Sequence, residues 1–165
     1  MTQTTYRLAI LTVSDAGARG ERADTSGDAI GELMESEGYG LVHRALVADE
    51  RPLISDKLKS WCDEGEVDLV LTTGGTGLGP RDVTPEATGD VVEVDVPGIL
   101  EAVRLETRKI TPTAVLSRGI AGVRNGCLIV NLPGSPKGVR ECLAVAVPVI
   151  PHALEMIRGG WGHPG

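Results

Sequence analysis

Four glycines fall within the six residues Gly74 to Gly79 of "LVLTTGGTGLGPRDVTPEAT" (Leu69–Thr88), directly behind an apolar run. Glycine permits positive φ and carries no Cβ, so successive N–H groups here can converge on a phosphate. Thr72, Thr73 and Thr76 add hydroxyl donors. A tight turn needs one glycine. Four of them at a strand end predict an anion cradle over Thr73, Gly74, Gly75, Thr76 and Gly77. Neither common phosphate loop is present. Gly74 and Gly79 have P-loop spacing, but Pro80-Arg81 stand where Lys-Ser/Thr belong. Gly75-Thr76-Gly77 begins a dinucleotide fingerprint, but Pro80 takes the place of its third glycine. That failure makes a nucleotide-dependent oxidoreductase a distant alternative.

A carboxylate beside an anion cradle repels the ligand unless a cation intervenes. Asp82 is such a carboxylate, and magnesium, which takes few protein carboxylates plus phosphate oxygens, is the expected cation. Asp49 also follows a strand and should emerge at the same sheet edge. Simpler roles stay open to both: Asp82 can close an Asx turn or pair with Arg81, and Asp49 can cap the helix that holds Pro52. A third loop, "VNLPGSPKG", supplies Pro133, Gly134, Ser135 and Lys137. Ser135 opens a helix whose N-terminus can hold an anion, although a cap and a turn explain most of this loop. Ser14 and Asp15 end the first apolar run, where such a pair commonly forms a turn.

These loops need a frame. "YRLAILTV" (Tyr6–Val13) is nearly all apolar, as a strand buried on both faces should be. After a polar loop to Asp24, "TSGDAIGELMESEG" reads as a helix capped by Thr25 or Ser26 and ended by Gly38. "YGLVHRALV" is a second strand, and the segment from Pro52 a helix with Leu53, Ile54, Leu58 and Trp61 on one face. "VDLVLTT" is a third strand; Thr84 then caps a helix opened by Pro85, and another helix spans Gly98–Lys109. Asn125-Gly126 between two apolar runs is a strong hairpin signal. The alternation predicts a three-layer, doubly wound α/β fold: a mostly parallel sheet with one antiparallel strand and helices on both faces. No linker or repeat divides the chain, so one domain is expected over 1–165, with a core of about 5–158 and a tail of 159–165.

Composition narrows the function classes. The 41% hydrophobic and 24% charged content is ordinary for a soluble globular chain, with an aliphatic core because Phe is absent. A net charge of −7 argues against a nucleic-acid partner. Cys62, Cys127 and Cys142 match no metal spacing and read as reduced, buried thiols of a cytoplasmic protein. Neither a signal peptide nor a membrane span is expected. His43, His152 and His163 show no catalytic setting.

Together, "TVSD" (Thr12–Asp15), "DTSG" (Asp24–Gly27), "TTGGTG" (Thr72–Gly77), "RDVTPEAT" (Arg81–Thr88), "VPG" with Glu101, "AVLSR" (Ala114–Arg118) and "NLPGSPKGVRECL" (Asn131–Leu143) resemble the molybdopterin adenylyltransferase family, the MogA/MoaB type of molybdenum-cofactor biosynthesis proteins. The resemblance implies a homotrimer that transfers AMP from magnesium-ATP to the terminal phosphate of molybdopterin, releases pyrophosphate and hands the product to a molybdenum-insertion protein. It places the two magnesium-linked, catalytic carboxylates on Asp49 and Asp82 and the phosphate cradle on Gly74–Gly77. Pterin and substrate-phosphate contacts fall around Ser14, Ser117 and Pro133–Ser135. A phosphate nucleophile is already ionised at neutral pH, so no protein base is required. The same scaffold also occurs as a module of molybdenum-insertion proteins. Two rival readings are a non-catalytic molybdopterin-binding carrier and an oligomeric structural protein using the apolar Leu143–Ile157 segment.

Overall fold

A computed structural model describes residues 5–159. Of the expected tail only Gly159 lies among the described residues; 160–165, and His163 with them, lie outside. Six strands, β1 (Arg7–Val13), β2 (Gly40–Val47), β3 (Leu69–Thr73), β4 (Val94–Asp95), β5 (Ala121–Arg124) and β6 (Cys127–Leu132), form one sheet in the order β2-β1-β3-β6-β5-β4. β1, β2, β3 and β6 pair in parallel, and β5 runs against both of its neighbours. It is the single reversed strand that the Asn125-Gly126 turn predicts. That turn has φ 46° and 77° at its two residues, as a type I′ hairpin requires.

Alternation along each buried strand divides the core in two. Leu8 and Ile10 of β1, Leu69 and Leu71 of β3, and Leu128, Val130 and Leu132 of β6 face one layer. That layer holds α2 (Thr25–Ser36), α5 (Pro97–Thr107), α6 (Pro136–Ala146) and α7 (Ile150–Ile157). Ala9, Leu11, Val70 and Ile129 face the other, built from α3 (Arg51–Asp63) and α4 (Thr84–Gly89). β1, β3 and β6 are continuously apolar because both of their faces are covered. β2 is an edge strand and more exposed. All three cysteines are buried and free. The Leu143–Ile157 segment is two helices, and Leu143, Ala146, Ile150 and Leu154 lie in the core, while Val149 and Met156 are exposed.

Several local expectations are corrected. The Ser14–Asp24 loop holds a one-turn helix, α1 (Asp15–Ala18). Asp24, rather than Thr25 or Ser26, caps α2 by accepting from the Gly27 N–H at 3.0 Å. Asp49 does not cap α3, whose N-cap is Glu50 without a side-chain bond. Thr84 does not cap α4; its hydroxyl donates to the Gly74 carbonyl at 2.9 Å. Leu53 is exposed, and Cys62 takes the buried place beside Trp61. β4 was not visible in the sequence: two residues are too short to show a period.

Candidate active site

β1, β2, β3 and β6 all end at one edge of the sheet, and the loops that follow them carry Ser14, Asp49, Gly74 and Pro133. The chain leaves β1 for β2 on one side and returns to β3 on the other. The strand order therefore reverses at β1, where an open α/β sheet leaves a crevice.

The loops are fastened to one another at short range. The Gly74 N–H donates to the Leu132 carbonyl at 3.2 Å, and the Thr73 hydroxyl donates to the Pro133 carbonyl at 2.6 Å. Gly74, at φ 97°, passes so close to β1 that a Cβ would lie 2.2 Å from the Val13 carbonyl oxygen. Gly75, at φ 71°, would put a Cβ 2.2 Å from Thr84 Oγ1. Any side chain at either position forces the backbone to shift. The N–H groups of Gly75, Thr76, Gly77 and Leu78 find no acceptor among the described residues. Unclaimed donors in a loop where Thr76 is buried and Gly75 and Gly77 are half-buried are what an anion cradle requires.

Two cavities open on either side of this loop. The smaller, about 220 Å³, is lined by Ser14, Arg22, Asp24, Asp49, Thr73 and Gly74 among others. The larger, about 510 Å³, takes in Thr76, Gly77, Ser117, Pro133, Ser135 and Lys137, with Leu100 and Val103 on its apolar wall. Gly75, Asp82 and Gly134 line both. Every residue singled out in the sequence as catalytic, metal-linked or substrate-binding thus borders one cavity or the other. His43 and His152 line neither.

Asp24, Asp49 and Asp82 line the smaller cavity, and Asp15 stands next to Asp49 outside that lining. Asp15 and Asp49 bond reciprocally: each carboxylate accepts from the other's backbone N–H, at 2.9 and 2.8 Å. Arg81 pairs with Asp15 through Nε and Nη2, each at 3.0 Å, and not with Asp82. That arginine, with the Asp49 N–H, draws the Asp15 carboxyl below its ordinary range. Burial pushes Asp49 the other way, and the charges of Asp15 and Asp82 add to the rise against the Asp15 N–H. Asp82 Oδ2 accepts from the Gly79 N–H at 2.9 Å and the Asp82 N–H donates to the Gly79 carbonyl, so Asp82 closes a turn backward onto Gly79. The expected Asx turn does not form, because the Thr84 N–H donates to the Gly75 carbonyl. One oxygen of each acid remains: Asp49 Oδ1 and Asp82 Oδ1 accept no hydrogen bond among the described residues. Free carboxylate oxygens beside unclaimed N–H groups suit a hard cation carrying phosphate oxygens. Ser14 Oγ, by contrast, accepts from the Gly17 N–H, and Ser135 Oγ from the Gly138 N–H, each at 3.0 Å.

A probable molybdopterin binding domain model matches residues 9–152. The molybdopterin adenylyltransferase of Helicobacter pylori (strain J99) is 45% identical over 159 residues, covering 95% of this chain and 90% of that protein. The chain belongs to the molybdopterin adenylyltransferase family of molybdenum-cofactor biosynthesis proteins. The crystal structure of the molybdopterin biosynthesis enzyme MoaB from Thermus thermophilus is 52% identical, with a TM-score of 0.89 over 94% of this chain and 98% of that one. A molybdenum cofactor biosynthesis bifunctional protein of Synechococcus elongatus is 39% identical over 150 residues, which are 91% of this chain and 47% of that protein.

Sequence reasoning missed three residues that the fold brings to this family's site. Asp24 accepts from the buried Thr12 hydroxyl at 2.8 Å and from Arg44. Asp15 is the hub between Asp49 and Arg81. Arg118 reaches the glycine loop from beyond the 3-10 turn Pro112–Leu116. The spacing of "DTSG" ahead of a helix could have exposed the first as a cap; Asp15 and Arg118 stand in "TVSD" and "AVLSR", but nothing local marks their partners.

Proposed function

We propose that this chain transfers AMP from magnesium-ATP to the terminal phosphate of molybdopterin. One observation carries the reading: two cavities of different character share Gly75, Asp82 and Gly134, so two phosphate-bearing substrates would meet at one glycine loop. The acid-lined smaller cavity takes the ATP phosphates, and the larger, with its apolar wall, takes the pterin. An oxygen of the molybdopterin phosphate attacks the α-phosphorus of ATP. The bond from that phosphorus to the bridging oxygen breaks, and pyrophosphate leaves with the electron pair.

The chain's part is positioning and charge neutralisation. The free N–H groups of Gly75, Thr76 and Gly77 stabilise charge on the transferring group. Asp49 and Asp82 each offer an uncommitted oxygen and fit magnesium, which would neutralise the ATP phosphates when bound. Lys137 and Ser117 face the substrate phosphate from the larger cavity, with Ser14 and the Pro133–Ser135 loop completing the walls. The nucleophile is a phosphate oxygen already ionised at neutral pH, so the step needs no protein base.

We further propose that the chain works as a homotrimer and passes its product to a molybdenum-insertion protein. The bifunctional relative, about twice this chain's length, supports the hand-over. The deciding experiment incubates the purified chain with molybdopterin, ATP and magnesium and follows pyrophosphate and adenylylated product together. Product that requires all three components is expected. Tight pterin binding without pyrophosphate would leave a carrier, and sedimentation as a monomer at micromolar concentration would refute the trimer.

A further inference from the structure

Arg118 makes no contact that its place in the sequence announces, yet it touches the glycine loop at three points. Its backbone N–H donates to the Thr76 carbonyl at 2.8 Å. Its Nε donates to the Gly77 carbonyl at 2.9 Å and its Nη2 to the Asp82 carbonyl at 2.8 Å. The remaining nitrogen, Nη1, pairs with Glu86 on α4. Each guanidinium nitrogen is thus engaged by the protein, and its charge is balanced by a carboxylate. It is not an arginine waiting for a phosphate.

We propose that Arg118 is a positioning residue that holds the glycine loop in its anion-binding conformation and fixes Asp82 beside it. The peptide unit supplies the reason. In a planar trans peptide the carbonyl of one residue and the N–H of the next point in opposite directions. Holding the Thr76 and Gly77 carbonyls toward Arg118 turns the N–H groups of Gly77 and Leu78 away from it, and those N–H groups are among the unclaimed donors. A glycine-rich segment does not keep that orientation unaided, because glycine rotates freely. The third contact holds the Asp82 carbonyl, while its N–H is held by Gly79, so the main chain of Asp82 is secured on both sides. Arg118 also directly follows Ser117, which lines the larger cavity. One residue therefore ties the Ser117 wall of the larger cavity to the glycine loop, and through Asp82 to the boundary that both cavities share. Lysine cannot replace it, since a tetrahedral ammonium does not span three acceptors laid out for a planar fork.

The inference rests on the adenylyl-transfer reading, and two measurements separate their failures. Arg118→Lys and Arg118→Ala are compared with wild type for pyrophosphate release, magnesium-ATP affinity by calorimetry, and melting temperature. In Arg118→Lys kcat falls on the order of 10²-fold and the dissociation constant for magnesium-ATP rises about tenfold, with the melting temperature within a few degrees of wild type. Guanidinium ion restores part of the turnover of Arg118→Ala, whereas ethylammonium does not; a role confined to stability would show neither behaviour. Arg118→Lys within about threefold of wild-type kcat overturns the proposal, as does loss of activity that follows only the folded fraction. A wild type that binds magnesium-ATP but releases no pyrophosphate sinks the adenylyl-transfer reading alone. Arg118 is then judged by nucleotide affinity, and an unchanged dissociation constant in Arg118→Lys overturns it.

Discussion

The two ends of the sheet's parallel strands treat a carboxylate in opposite ways. At the amino edge, Asp68 stands just before β3. It accepts from the Arg7 N–H at 2.8 Å, from Arg7 Nε and Nη2 at 3.1 Å, and from Arg158 Nη2 at 3.0 Å. Burial alone would raise its pKa, but the two arginines and the N–H outweigh it and hold the carboxyl down at about 2. At the carboxyl edge, Asp49 stands just after β2, receives one N–H, faces two further acids, and is pushed up by burial. The amino edge also borders the largest cavity described, about 800 Å³ between Tyr6, Leu33, Tyr39, Leu143 and Pro151, which none of the candidate site residues line. Cavity size does not locate the chemistry here. A carboxylate whose lone pairs are all claimed is structural, and one left short of donors among like charges is a candidate functional group.

Substitutions at the two edges should therefore separate activity from stability. The largest effect is expected from Asp49→Asn or Asp82→Asn, each lowering turnover by roughly 10²–10³-fold. The ligand-free melting temperature of Asp49→Asn should not fall, because the amide keeps an acceptor for the Asp15 N–H and sheds a like charge. A large drop in that melting temperature would erase the distinction between the edges. Next, Gly75→Ala should weaken magnesium-ATP binding about tenfold or more in calorimetry, since its Cβ would meet Thr84 Oγ1 at 2.2 Å. Wild-type affinity would show that the loop has room to spare. Asp68→Asn should reverse the pattern: turnover per folded molecule is unchanged, while the melting temperature falls by roughly 4–8 °C, as about 2 kcal/mol implies for a domain of this size.

How far this contrast was legible in the sequence depends on the range of the interactions. The strands, the hairpin and the helix capped by Ser135 are local, and hydrophobic period, the Asn-Gly pair and the Ser-Pro pair reveal them. Most candidate site residues drew attention because their loops follow strand ends, and parallel strands carry those ends to one edge; Ser117, behind the 3-10 turn, came only from the resemblance. The α2 cap was misjudged because three cap-competent residues stand side by side, and Asp24 prevails by also holding Thr12 and Arg44. Arg118 entered only as the last residue of "AVLSR", and neither its partners nor those of Asp68 were legible. Arg118 meets Gly77 across 41 positions, and Asp68 meets Arg7 across 61, pairings that only tertiary structure creates.

The finest test of the contrast is its pH dependence, because the two edges should give opposite signs. The folded-state pKa of Asp68 is depressed from 3.8 to about 2, so its stabilisation is complete above about 3.8 and disappears as pH falls toward 2. It amounts to at most about 2.5 kcal/mol, and about 2 kcal/mol once solvent screening at the two partly exposed arginines is allowed for. In denaturant unfolding, the stability of wild type minus that of Asp68→Asn should accordingly fall between pH 4 and 2. Asp49 is raised, so its charged form costs stability that protonation returns. Any advantage of Asp49→Asn over wild type should then be largest near neutral pH and shrink as pH falls through the folded-state value, so wild type minus variant rises. Differences that move in the same direction at both edges would mean that the Asp49 carboxyl is satisfied after all, and that its free oxygen is not held in readiness for a metal.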